Sequence, residues 1–168
     1  MFMTEVMNML KNFFLPKLDW KFGLRLIITA SAVWIVCYFF YMPCFINGSS
    51  MQPTYDSAGF NFCNKLRYSK KLPTYGDVVI LRYVGKTYYL KRVIGLSDDK
   101  IEFRNGILYR NNEKISEDYV KFPCDWNMPQ VTVRSNTVFV VGDNRSMPIE
   151  QHQFGMISQH RIAGAPLW

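Results

Sequence analysis

The chain has 168 residues, 49% hydrophobic and 16% aromatic. That length suits one domain of ordinary size, and that composition excludes an intrinsically disordered chain. Net charge is +7. His152 and His160 are the only histidines, and no Cys-x-x-Cys or Cys/His spacing occurs. A zinc site is therefore excluded, and no metal or cofactor is expected.

Residues 1–25 carry Lys11, Lys17, Lys21 and Arg25 against Glu5 and Asp19. Residues 26–46 then run without a charge, from Leu26 to Ile46. A membrane helix needs roughly 20 such residues. Pro43 is expected to end the regular helix, since proline lacks an N–H and clashes with the preceding turn, and Tyr41 suits an interfacial aromatic. After the run no basic residue occurs until Lys65. The positive-inside rule then puts residues 1–25 in the cytoplasm and residues 47–168 outside. A cleaved secretory signal is the competing reading. The run exceeds the usual apolar core of such signals, and the small residues Ala30, Ser31 and Ala32 stand at its start, not its end.

From Asn47 onward there are 16 basic and 11 acidic residues. This modest surplus suits a domain beside anionic lipid, and nucleic acid is not expected as a partner. Cys63 and Cys124 are the two cysteines clear of the apolar run. They are available to pair outside the cytoplasm, the alternative being four free thiols.

The remainder reads as mainly β structure. Asp77–Val84 and Lys86–Ile94 are rich in β-branched and aromatic residues and join at Gly85. Ile101–Tyr109 has Asn105-Gly106 at its centre, the dipeptide of a type I′ hairpin. Val131–Arg134 and Thr137–Val141 supply two further strands. The expected architecture is an antiparallel β-rich domain behind one apolar helix.

Three stretches carry candidate chemistry. In Asn47-Gly-Ser-Ser-Met-Gln-Pro-Thr54, Ser50 is a hydroxyl that needs a base to become a nucleophile; taken alone, the stretch also fits a solvated turn. In Tyr88-Tyr-Leu-Lys-Arg-Val-Ile-Gly95, strand alternation puts Lys91 on one face with Tyr89 and Val93, and Arg92 on the other with Leu90 and Ile94. One of these cations must face apolar surroundings. A desolvated lysine loses basicity and can then act as a general base, whereas a solvated edge lysine would guard the strand against aggregation. The third stretch, Gly142-Asp143-Asn144-Arg145, follows a hydrophobic strand and reads as a turn.

Together these stretches resemble the type I signal peptidase family, bacterial leader peptidases and their mitochondrial inner-membrane relatives. The matching motifs are Ser50-Met-Gln-Pro-Thr54, Gly76-Asp-Val-Val79, Lys91-Arg-Val-Ile-Gly-Leu96, and Gly142 to Arg145 followed by Phe154-Gly155, in that order. The resemblance implies a Ser–Lys dyad. Ser50 attacks the scissile carbonyl, Lys91 accepts its proton, and the Ser50 backbone N–H holds the oxyanion. Ser49 is a further candidate donor, since the position two before the nucleophile is Gly48. Met51, Pro53 and Tyr89 are expected at the substrate cleft. Two departures stand out. Ser97-Asp98-Asp99 replaces Pro-Gly-Asp, and Pro148, Glu150, Gln151 and His152 replace Ser-x-Asp-Ser-Arg. Glu150 with His152 then keeps an acid–base pair, and Ser146, the nearest hydroxyl, or a bound water is the expected support for Lys91.

The function implied is removal of signal peptides from exported preproteins, with the signal peptide and membrane lipid as partners. Two alternatives accompany it. One is a dedicated processing peptidase for prepilin, conjugation or secretion substrates, working with such an apparatus. The other is a non-catalytic, membrane-tethered β-domain that binds peptides.

Overall fold

Asp19 opens the first described helix. Its carboxylate accepts the N–H of Phe22 at 2.8 Å, which satisfies one of the donors that a helix start leaves without an intrahelical partner. The computed structural model describes residues 5–7, 19–46, 48–83, 87–151 and 155–168. Lys11, Lys17, Asn47, Val84, Gly85, Lys86, His152 and Phe154, named above, lie outside the described residues. Helix α1 (Trp20–Phe40) has 21 residues and buries no side chain. At 1.5 Å per residue it spans about 30 Å, the depth of a bilayer's hydrocarbon core.

The helix ends at Phe40, three residues before Pro43 and six before the end of the uncharged run at Ile46. Tyr41–Phe45 instead forms strand β1, which pairs antiparallel with β2 (Phe60–Asn64). The apolar run is therefore two elements. Hydropathy cannot separate them, but Pro43 can: the residue before a proline is steered away from helical backbone angles, and a proline is tolerated in an edge strand. Strand β1 occupies such an edge.

The β-rich unit runs from Phe40 to Trp168. Its further strands are β3 (Val78–Arg82), β4 (Tyr88–Gly95), β5 (Lys100–Arg104), β6 (Ile107–Arg110), β7 (Glu113–Lys114), β8 (Met128–Thr132), β9 (Thr137–Val141), β10 (Gly155–Ser158) and β11 (Ile162–Pro166). Among the described residues they form two antiparallel sheets, β1-β2-β11-β3-β4-β9-β10 and β7-β6-β5-β8. The expected hairpin turn falls between β5 and β6, with Asn105 at φ 47° and Gly106 at φ 76°. Gly106 is also required for space, since a Cβ there would lie 2.0 Å from the Cys124 carbonyl oxygen.

Strand alternation sorts the large sheet's side chains into distinct cores. Val79, Leu81, Val93, Val138 and Val140 pack on one face. Cys44, Met51, Cys63, Ile80 and Leu90 pack together in a second cluster, closing β1 and the nucleophile segment over β3 and β4. Ile94, Phe139 and Val141 join Ile101, Phe103 and Trp126 to weld the small sheet to the large one. Of the two readings of the cysteines, the free thiols hold. Cys63 is buried beside Cys44, Cys124 packs against the core that holds Phe103 and Trp126, and all four thiols are free.

Candidate active site

Lys91 lies directly opposite Val79 in the β3–β4 ladder, so its side chain rises from the valine-lined face of the sheet. It is 3% exposed. Burial in this apolar setting draws the amine down to about 8, against a smaller upward pull from the Asp143 carboxylate. An amine in that range is substantially neutral at mildly alkaline pH and can take a proton. Its Nζ lies 2.9 Å from Ser50 Oγ, across 41 residues of sequence.

Ser50 is held by backbone and core contacts rather than by its own side chain. Met51, the next residue, is 2% exposed and anchors the segment in the core with Cys44, Cys63 and Leu90. Asn144 clamps the segment from the other side. Its N–H donates to the Ser50 carbonyl at 3.0 Å, and its side-chain amide donates to the Ser49 carbonyl at 3.1 Å. Thr54 donates its hydroxyl to Asp143 Oδ2 at 2.5 Å. These bonds set the nucleophile's height over Lys91.

Asp143 joins the remaining motifs. It is fully buried and receives a bidentate guanidinium from Arg92, with Nε on Oδ1 at 2.8 Å and Nη2 on Oδ2 at 2.5 Å. Arg92 also donates to the Gly76 carbonyl at 2.8 Å and lies over the Tyr119 ring. One carboxylate therefore registers the Ser50–Thr54 segment against the strand that carries Lys91, and its partner arginine reaches the Gly76 motif. A planar fork suits this role, and a lysine at position 92 would not replace it.

Other expected residues fall elsewhere. Ser146 donates its hydroxyl to Asn144 Oδ1 at 2.7 Å and is exposed. It is not brought to Lys91, because the turn that follows Asn144 directs its side chain back onto that residue. Among the described residues Ser50 is the one hydrogen-bond partner of the Lys91 amine. The Ser49 hydroxyl rests against Met147 Sδ at 3.8 Å, away from the dyad. Pro53 is exposed and lines neither pocket beside the dyad. Tyr89 lines both of those pockets, and Met51 lines the one that holds Ser50. Glu150 is exposed in a short 3-10 turn, Ile149–Gln151.

A second buried ion pair forms between Arg145 and Glu117, at 2.6 Å and with the arginine side chain fully enclosed. Sequence gave no local sign of Glu117, which lies 28 residues upstream of its partner. Tyr119, whose phenol donates to the same glutamate, is titrated upward by burial and by that carboxylate. The Ser97-Asp98-Asp99 departure proves structurally mild. Asp98, where a glycine was expected, adopts φ 71°, a region that aspartate tolerates better than most residues. Asp99 keeps the turn closed by accepting the Leu96 N–H at 2.7 Å.

Two pockets flank the dyad. A narrow one of about 20 Å³ is lined by Ile46, Gly48, Ser50, Met51, Tyr88 and Leu90. A wider one of about 280 Å³ begins at Lys91 and Tyr89. A third, of about 410 Å³, lined by Tyr55, Arg67 and Asp77 among others, contains neither dyad residue. Depth of pocket and chemistry therefore do not coincide, and the residues that can react lie at the smaller sites.

A hydroxyl held against a desolvated amine, in a β-rich unit preceded by one long apolar helix, belongs to a membrane-anchored serine peptidase. Residues 20–167 match the family model described as "Signal peptidase, peptidase S26". The chain is 32% identical over 133 residues to a signal peptidase I of Bacillus caldolyticus, covering 71% of this chain and 73% of that one. It is 31% identical over 160 residues to a signal peptidase I of Bacillus amyloliquefaciens, covering 86% and 81%. A crystal structure of a signal peptidase I from Enterococcus faecalis V583 aligns with 58% of this chain and 98% of that one, at 27% identity and a TM-score of 0.47. The chain belongs to the signal peptidase family, peptidase S26.

Proposed function

We propose that this chain removes N-terminal signal peptides from exported preproteins, with Ser50 as nucleophile and Lys91 as general base. The observation that carries the reading is the 2.9 Å approach of Lys91 Nζ to Ser50 Oγ on an apolar face. Neutral Lys91 takes the Ser50 proton as Oγ bonds to the scissile carbonyl carbon. The Ser50 backbone N–H stabilises the oxygen that becomes negative. Protonated Lys91 then delivers its proton to the leaving amine, the C–N bond breaks, and an ester remains on Ser50. Water, deprotonated by the same amine, cleaves that ester and restores the hydroxyl. The pocket beside Ser50 is the narrower of the two at the dyad, which supports a requirement for small side chains just before the cleaved bond.

Helix α1 is the proposed anchor. Lys21 and Arg25 sit in its first turns, where long cationic side chains can reach back to the interface. The basic N-terminal flank supports a cytoplasmic N-terminus with the β-rich unit outside. Exposed Phe45 and Phe60 pack in a row with Phe62 and Trp168 along β1, β2 and the C-terminus, which supports membrane lipid as a partner of this edge. Relatives named signal peptidase I in several bacteria, together with a filled dyad, favour catalysis over passive peptide binding.

The test is cleavage of a purified preprotein by the wild type, Ser50→Ala and Lys91→Arg. Only the wild type should cut, because arginine stays protonated. Cleavage by Ser50→Ala would overturn the assignment. For orientation, protease added to spheroplasts should digest the β-rich unit and spare an N-terminal tag. The opposite pattern would reverse the topology.

A further inference from the structure

The wider pocket beside the dyad is not used by the steps above. Its floor is apolar, made by Leu81, Val140 and Ile157. The rings of Tyr83 and Tyr89, edge to face with centroids 5.0 Å apart, form one wall. Lys91 stands at one end and Arg161 contributes a guanidinium. Among the described residues no acidic one lines it. Arg161 is fixed by two bonds from Nε and Nη2 to the Arg82 carbonyl, at 3.1 and 2.9 Å. Among the described residues no carboxylate lies within ion-pair distance of it. The pocket thus offers an apolar bed for a short aliphatic stem and a cation, held in place, without a counter-charge.

Its position follows from the reaction, so this inference rests on the reading proposed above. The amine that accepts the Ser50 proton must return it to the leaving nitrogen. That nitrogen belongs to the first residue after the cleaved bond, which must pass within hydrogen-bond reach of Lys91. The narrow pocket contains Ser50 and not Lys91, whereas the wide pocket contains Lys91 and not Ser50. Residues before the bond therefore meet the narrow pocket, and residues after it meet the wide one. We propose that the wide pocket is a specificity site for the start of the mature protein, taking an acidic side chain from the first three residues after the cleaved bond with Arg161 as its counter-charge.

The experiment uses the full chain in detergent and peptides that share one signal segment. They carry Glu, Ala or Lys in turn at each of the first three positions after the bond. Wild-type kcat/KM should be about tenfold higher for Glu than for Lys at one of those positions, with Ala between, the scale of a single partly screened ion pair. Arg161→Glu should reverse that order. Arg161→Gln, which retains a donor for the Arg82 carbonyl, should bring the Glu-to-Lys ratio to about one. The same ranking should appear in the Kd of the Ser50→Ala protein for each peptide, so the preference remains readable if no peptide is cut. Cleavage failing while the ranking in Kd persists would count against the catalytic reading alone. Equal handling of Glu and Lys at all three positions, or a preference that survives Arg161→Glu in folded protein, would overturn the subsite.

Discussion

Replacing Lys91 by methionine should stop catalysis and make the protein more stable. The lysine is 3% exposed, opposite Val79, and its pKa falls from 10.5 to about 8 because burial disfavours the charged amine. A base with a lowered folded pKa is protonated more readily in the unfolded chain. It therefore destabilises the fold in full below about pH 8, and the deficit is relieved as pH rises from there to about 10.5. At about 1.4 kcal/mol for each tenfold change in proton affinity, the deficit near pH 7 is about 3 kcal/mol. Methionine has similar length and no charge to desolvate. Lys91→Met should thus gain up to about 3 kcal/mol near pH 7, with the gain shrinking steadily between about pH 8 and 10.5. Urea unfolding of both full-length proteins in one detergent, across that range, measures the difference, and the comparison subtracts groups common to both. A mutant no more stable than wild type near neutrality, or a gain that does not vary with pH, would refute the reasoning. The same amine sets the rate. Wild-type kcat/KM should rise about tenfold between pH 7 and 9, around a midpoint of about 8.

Asp143→Asn should cost about 3 kcal/mol in urea unfolding, because it leaves the Arg92 guanidinium buried without its full partner. It should also move the midpoint of the pH–rate profile downward, since Asp143 is the charge that pulls the Lys91 pKa up. Ser146→Ala should keep kcat/KM within about threefold of wild type, because its hydroxyl serves Asn144 and not the dyad. A loss beyond tenfold would mean that this loop turns toward Lys91 when substrate binds. Glu117→Gln should lower stability by about 3 kcal/mol through the enclosed Arg145. Below its melting temperature it should cleave a preprotein nearly as well as wild type.

Much of the dyad could be read along the chain because its information is local. A two-residue period assigns Lys91 and Arg92 to opposite faces whatever the sheet order, so one of the two cations had to meet apolar surroundings, and only the fold decided which. Asn105-Gly106 specifies its turn through its own backbone preferences. Thr137–Val141 announces a strand through its β-branched and aromatic residues. Ser50 was legible through its company in a short motif.

What sequence could not decide lies in contacts whose partners are far apart and whose local patterns are weak. Strands β2, β10 and β11 are short stretches containing Asn, Gly or Pro, and they become strands only because neighbouring edges offer them backbone partners. The end of the anchor fell at Phe40 because the backbone of Phe60–Asn64 competes for Tyr41–Phe45, a competition that hydropathy does not register. Glu117 neutralises Arg145 from 28 residues upstream, and Cys44, not Cys124, neighbours Cys63. Asn144 reaches back 95 residues to the Ser49 carbonyl and, through its N–H, holds the Ser50 carbonyl. A chain's own pattern determines which groups can be nucleophile and base. Only closure of the sheet brings Ser50 and Lys91 to 2.9 Å and strips water from the amine, the desolvation on which the proposed role as base depends.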